Sequence, residues 1–104
     1  MSTKYYTVSE LTSKTRSILE LSLDGVWVEG EISNLHYHSS GHIYLTLKDK
    51  TSELRCVFFK HINIYLGFRL QDGMHIQISG GVSIYEQRGQ LQFVIQRLKK
   101  SGSG

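Results

Sequence analysis

Apolar residues recur every three or four positions at the start of the chain and every second position through most of the remainder. Thr7-Val8-Ser9-Glu10 has the spacing of a capping box, in which the Thr7 hydroxyl accepts from the Glu10 backbone N–H while the Glu10 carboxylate reaches back. From that start Val8, Leu11, Thr15, Ile18, Leu19 and Ser22 form a narrow stripe at helical spacing. The pattern predicts a helix over about residues 8–22, ended near Asp24-Gly25, whose stripe docks on another element.

After Gly25 the period becomes two. Val26, Val28, Gly30 and Ile32 share one face of a strand, with Trp27, Glu29, Glu31 and Ser33 on the other. Asn34 to Gly41 reads as a polar loop. His42 to Lys48 alternates again, Asp49-Lys50-Thr51-Ser52 supplies turn chemistry, and Glu53 to Phe59 completes a hairpin. Setting Lys48 opposite Glu53 fixes every other pair. On one face Leu47 then meets Leu54, Leu45 meets Cys56 and Ile43 meets Phe58, an apolar ladder suited to a core. On the other, Thr46 meets Arg55, Tyr44 meets Val57 and His42 meets Phe59, a mixture unusual for a merely solvated sheet.

Lys60 to Leu70 is weakly periodic and reads as a linking segment with a helical turn. Gln71-Asp72-Gly73 marks a turn. Met74, Ile76, Ile78, Val82 and Ile84 then share parity along a long strand interrupted by Gly80-Gly81, read as a bulge or bend. Glu86-Gln87-Arg88-Gly89 is the next turn, and Leu91, Phe93 and Ile95 alternate after it. The strands are expected to span about residues 26–98, with residues 99–104 a flexible tail. Five strands with a glycine-bent fourth suit a small closed barrel, because bends let a short sheet curl and remove its edges. The expected fold is mainly β, a five-stranded OB-fold barrel with an N-terminal helix. An open five-stranded sheet backed by the helix is the alternative.

With 104 residues the chain fits one domain. No run approaches the ~20 apolar residues of a membrane helix, and Met1 to Lys14 lacks the apolar centre of a signal peptide. The single cysteine, Cys56, excludes an intrachain disulfide and a multi-cysteine zinc site, which fits a reducing, cytoplasmic setting. Charge is uneven: residues 1–52 carry 5 basic and 6 acidic side chains, residues 53–104 carry 7 and 3. The second half is therefore the side that suits a polyanion.

That chemistry points to single-stranded nucleic acid. His42, Tyr44, Arg55 and Phe59 share one sheet face, with Lys48 and Lys60 at its ends. Aromatic rings stack on bases, worth about 1–3 kcal/mol per base, while Arg and Lys neutralise phosphates. Tyr37 in the loop after the first strand, and Tyr85 with Arg88 at the last turn, would flank such a face. The plainer reading is that Tyr44 and Phe59 cover the barrel and that both loops are ordinary polar connections. His36, His38 and His42 have a spacing that zinc ligands can take, but no fourth ligand is evident. Glu29 and Glu31, with Asp49 or Glu53, read as solvated strand carboxylates rather than a two-metal site, Glu53 pairing with Lys48. Cys56 falls on the core face as a small hydrophobe, with no base near it. No catalytic residue, metal or cofactor is assigned.

The same residues resemble the large subunit of bacterial exodeoxyribonuclease VII, in its N-terminal OB-fold domain. The likeness runs through Tyr6-Thr7-Val8-Ser9-Glu10-Leu11, Val26 to Asn34 (VWVEGEISN), Ser40 to Asp49 (SGHIYLTLKD), Arg55 to Phe59, Asp72-Gly73 and Tyr85 to Gly89. Departures are small: Ser52 for a usual alanine, Leu91 for a common aromatic, and lysine where proline often precedes the final glycines. The resemblance implies a single-stranded-DNA-binding domain. It also implies that the catalytic domain, and the helices that recruit small subunits, lie in a part of a longer protein that this segment lacks. The family hydrolyses single-stranded DNA to oligonucleotides. An RNA-binding OB module, a protein-docking assembly domain and, last, a metal-dependent nuclease are the rival readings.

Overall fold

A computed structural model describes residues 2–101. Helix α1 (Val8–Ser22) opens with the capping box, Glu10 N–H to Thr7 Oγ1 at 3.0 Å and Thr7 N–H to Glu10 Oε1 at 2.8 Å. Strands β1 (Val26–Tyr37), β2 (Ile43–Lys48) and β3 (Glu53–Phe58) follow, then the single-turn α2 (Lys60–Asn63), β4 (His75–Tyr85) and β5 (Gln90–Lys100). The strands close into a barrel in the order β1-β2-β3-β5-β4, with β4 returning to β1. All pairings are antiparallel except β3 with β5, where Cys56 faces Phe93 and Val57 faces Val94. This is the expected five-stranded OB-fold barrel, not the open sheet.

The β2–β3 hairpin has the register derived from its two faces, from Lys48↔Glu53 to Ile43↔Phe58. Its turn is tied by the Asp49 carboxylate, which accepts from the Thr51 and Ser52 N–H groups at 3.0 and 2.9 Å. Those bonds hold Asp49 below the usual carboxylate range. The core fills the barrel with Ile32, Ile76, Ile78, Phe93 and Ile95, closed at one end by Leu70 from the β3–β4 connection. Cys56 lies among them, and burial pushes its thiol up to about 12. It is packed as a small hydrophobe, as its parity suggested.

Four local expectations are corrected. β1 continues through the supposed loop to Tyr37. A bulge makes this possible: three residues from Ser33 to His36 span two from Thr46 to Tyr44, so both Ile32 and Leu35 reach the core. The extra residue opposite the Gly80-Gly81 pair lies on β5, not β4, because Ser79 faces Arg97 while Gly80 faces Ile95. Gly80 is the point of close approach, since a Cβ there would sit 1.9 Å from the Val94 carbonyl oxygen. β5 carries on through Lys99 and Lys100, paired with Gln77 and Ile76, so these two are strand and not tail; the expected tail at residues 102–104 lies outside the described residues. Lastly, α1 buries none of its residues. Val8, Leu11 and Ile18 stay exposed.

The helix is instead held to β4 by polar contacts. Val82 N–H donates to Leu23 O at 3.2 Å, Ser83 Oγ donates to Glu20 Oε2 at 2.6 Å, and Arg16 bridges Glu20 and Glu86 at 3.0 and 3.2 Å. The Ser83 hydroxyl, and then Arg16, lower the pKa of Glu20.

Two outcomes follow from these contacts. Gly80→Ala must displace the β5 backbone and should cost about 1–3 kcal/mol in urea unfolding, whereas Gly81→Ala, whose nearest contacts are 3.7 Å away, should leave the midpoint almost unchanged. Because the pKa of Glu20 is depressed in the folded state, its contribution is complete at neutral pH. That contribution is lost as pH falls through the ordinary glutamate range toward the depressed value. Unfolding followed from pH 6 to pH 3 (a window of order three units around carboxylate titration) should therefore fall more steeply for wild type than for Glu20→Gln.

Candidate functional site

A groove crosses the outer face of β2 and β3. Its floor is made by the positions whose parity points away from the core: Tyr44 and Thr46 on β2, Arg55 and Val57 on β3, and Phe59 just beyond. Val57 is 2% exposed although it faces outward, because neighbouring elements rise on both sides. One wall is the β4–β5 hairpin, which contributes Tyr85, Arg88, Gln90, Leu91 and Gln92. The opposite wall includes Asn34 at the β1 bulge. The hairpin turn is closed by Arg88 N–H to Tyr85 O at 3.2 Å, with Gly89 at φ 63°.

Five of the nine residues singled out in the sequence meet in this groove: Tyr44, Arg55, Phe59, Tyr85 and Arg88. Tyr44 and Tyr85 are 40% and 45% exposed, which leaves ring surface available. The other four do not line it. The Tyr37 hydroxyl accepts from Leu70 N–H at 2.8 Å, and Arg69 lies over its ring at 4.3 Å, so this side chain braces the β3–β4 connection. His42 accepts the Lys60 N–H on Nδ1 at 3.0 Å and meets Phe59 edge-on with ring centroids 5.2 Å apart, so it supports the groove from behind. The aliphatic stem of Lys60 lies across Gly41, whose φ of 96° and missing Cβ both make room. Lys48 bridges Glu31 at 3.7 Å. That replaces the expected Lys48–Glu53 pair, because Glu31 is the Cα partner of Lys48 on the other side of the strand.

Alternation put Thr46 on this face, where its hydroxyl lines the groove, but misses several other groove residues. Gln90 and Gln92 bring carboxamide groups. His36 and His38 extend the aromatic surface, with centroids 5.7 Å from each other and His38 at 6.0 Å from Tyr44. On the other side His61 stacks on Phe59 at 6.2 Å. The signal for the bulge that places Asn34 and His36 here is the three-residue step between the apolar Ile32 and Leu35, which a period of two does not allow. The three loop imidazoles do not converge, and among the described residues no group of three His, Cys, Asp or Glu side chains is placed to hold a metal ion. The Glu29 carboxylate accepts from Gln77 Nε2 at 3.0 Å. No helix among the described residues is long and apolar enough to cross a membrane.

With that geometry in place, comparison with known proteins gives a consistent picture. A family model described as an OB-fold nucleic acid binding domain matches residues 6–99. The exodeoxyribonuclease 7 large subunit of Geobacter metallireducens is 48% identical over 98 residues, which cover 94% of this chain and 22% of that protein. That of Haemophilus influenzae is 42% identical over 104 residues, covering 100% of this chain and 24% of that protein. The chain thus spans about a quarter of the curated relatives it matches. Among solved structures, a replication protein A heterotrimer bound to single-stranded DNA matches with a TM-score of 0.64 at 6% identity, over 78% of this chain and 60% of that one. Asparaginyl-tRNA synthetase from Pyrococcus horikoshii matches with a TM-score of 0.61 at 18% identity, over 85% and 22%. These last two likenesses are of fold.

The division between brace and groove can be checked on Tyr37. Tyr37→Phe removes the acceptor for the Leu70 N–H and should cost about 1–2 kcal/mol of stability while leaving every groove side chain in place. A variant as stable as wild type would show that this bond contributes nothing.

Proposed function

The chain belongs to the OB-fold nucleic-acid-binding domain family, and from that membership we propose that it captures single-stranded DNA in the groove over β2 and β3. The observation that carries this reading is the meeting of Tyr44, Phe59 and Tyr85 with Arg55 and Arg88 in one open channel. Each ring offers a stacking face to any base, and each guanidinium an anion contact without sequence information. Duplex DNA keeps its base faces covered, so the stacking part of the interaction selects for single strands. The likeness to exodeoxyribonuclease 7 large subunits supports reading this segment as one part of a longer protein. There the domain holds the substrate and raises its local concentration at a hydrolytic centre elsewhere in the chain. In that assembly, small subunits bind through regions outside this segment. The free, buried Cys56 suits work in the reducing cytoplasm.

Fluorescence anisotropy of a labelled oligonucleotide of about 20 nucleotides, a length that exceeds one OB-fold site, tests the reading at two salt concentrations. Tyr44→Ala should weaken binding by about 1–3 kcal/mol. Arg55→Ala should weaken it and lower the slope of log affinity against log salt by about 0.7. Lys48→Ala, outside the groove, should change little. Equal or tighter binding of the matched RNA would overturn the preference for DNA, and no binding at low salt would turn the groove over to a protein partner.

A further inference from the structure

Asn34 occupies the β1 bulge and lines the groove on the side facing the hairpin wall. Among the described residues it is the single non-glycine with positive φ, at 50°. Asparagine is one of the residues other than glycine that enter this region most readily, so the bulge accommodates it and leaves its carboxamide free to point outward. The conformation is imposed by its surroundings. Ladder pairs Ser33↔Thr46 and His36↔Tyr44 bracket it, and the following residue, Leu35, donates its N–H to the Asp72 carboxylate at 3.0 Å. The Asn34 side chain is exposed, and no side-chain hydrogen bond ties it to another described residue. A polar group with one donor edge and one acceptor is thus held on a fixed piece of backbone, lining the same groove as Tyr44 and bonded to no other side chain.

We propose that Asn34 reads the base edge in this groove: its carboxamide hydrogen-bonds the edge of a base whose face rests on Tyr44. The inference rests on the single-strand reading above and adds base preference to it. Tyr44 stacks on any base, whereas an amide distinguishes bases by the order of donors and acceptors along their edges. The bulge supplies the geometry, since the residue it adds re-aims the side chain toward the groove.

Asn34→Gly separates the two roles, because glycine keeps the backbone conformation and removes only the amide. The probes are 20-mers, a length of about one to a few OB-fold sites, of deoxythymidine, deoxycytidine and deoxyadenosine, with an abasic oligomer of equal length. Wild type should show a preference among the three, and Asn34→Gly should lose about five- to tenfold on the preferred one. The spread should collapse, abasic binding should be unchanged, and the melting temperature should hold or rise. Asn34→Asp, which keeps the shape and replaces the donor with a charged acceptor, should lose affinity at least as far, and serves if the glycine variant is unstable. An equal loss on the abasic oligomer would assign the amide to phosphate and overturn the inference. So would a wild type without base preference, or full affinity in both variants, with single-strand capture intact. Failure of wild type to bind any oligomer would remove both readings together.

Discussion

The approach of β4 to β5 at Gly80 is the constraint from which the rest of the molecule follows. A Cβ at that position would lie 1.9 Å from the Val94 carbonyl oxygen, so no other residue fits without moving the strand. Here β5 carries its extra residue, and Phe93 and Val94 pair in parallel with Cys56 and Val57 of β3 on the opposite edge. The same short stretch of β5 therefore serves two neighbours and closes the sheet. Closure removes the free edges that a five-stranded sheet would otherwise present. It also brings the β4–β5 hairpin alongside the β2–β3 face, where Tyr85 and Arg88 share one groove with Tyr44 and Arg55.

Inside that frame the division of labour is strict. Branched and aromatic side chains fill the interior, with Ile32, Ile76, Ile78, Phe93 and Ile95 fully buried. Cys56 shares this space as a neutral thiol, since burial raises its pKa to about 12 and leaves almost no thiolate at neutral pH. With the core satisfied from within, the outward positions of β2 and β3 are free to carry rings and charges. Helix α1 adds little to the core. It is fastened through Glu20, Arg16 and the Leu23 carbonyl, and covers part of β4.

The parts of this design visible in the sequence were those set by local periodicity. The hairpin register followed from two faces that differ in kind, because a one-residue slip would have put Arg55 in the core and Cys56 outside. Helix α1 was readable from Thr7 and Glu10, since a capping box is a bond between near neighbours. What alternation hid were interruptions of the period and contacts between distant segments. The β1 bulge looked like the start of a loop, so Tyr37 was expected at the groove when its hydroxyl is bound to Leu70, 33 residues away. Lys48 was expected beside Glu53, and Lys60 as a cation at the end of a sheet face. Nothing local tells that one lies beside Glu31 and that the stem of the other covers Gly41.

That Lys48 and Lys60 both lie outside the lining changes the balance of forces in the groove. Of the positive charges that the sequence offered to this face, Arg55 and Arg88 are the ones that line it. Two guanidinium groups release few counterions on contact with a strand, so the electrostatic part of capture is small and its salt dependence shallow. Affinity must then come mainly from ring surface, and the structure supplies it in continuous series: His36, His38 and Tyr44 on one side, His61 and Phe59 on the other. A site that leans on stacking is tolerant of sequence and intolerant of duplex. On the proposed reading it suits a domain that holds single strands with little regard to sequence, the Asn34 amide adding a modest preference.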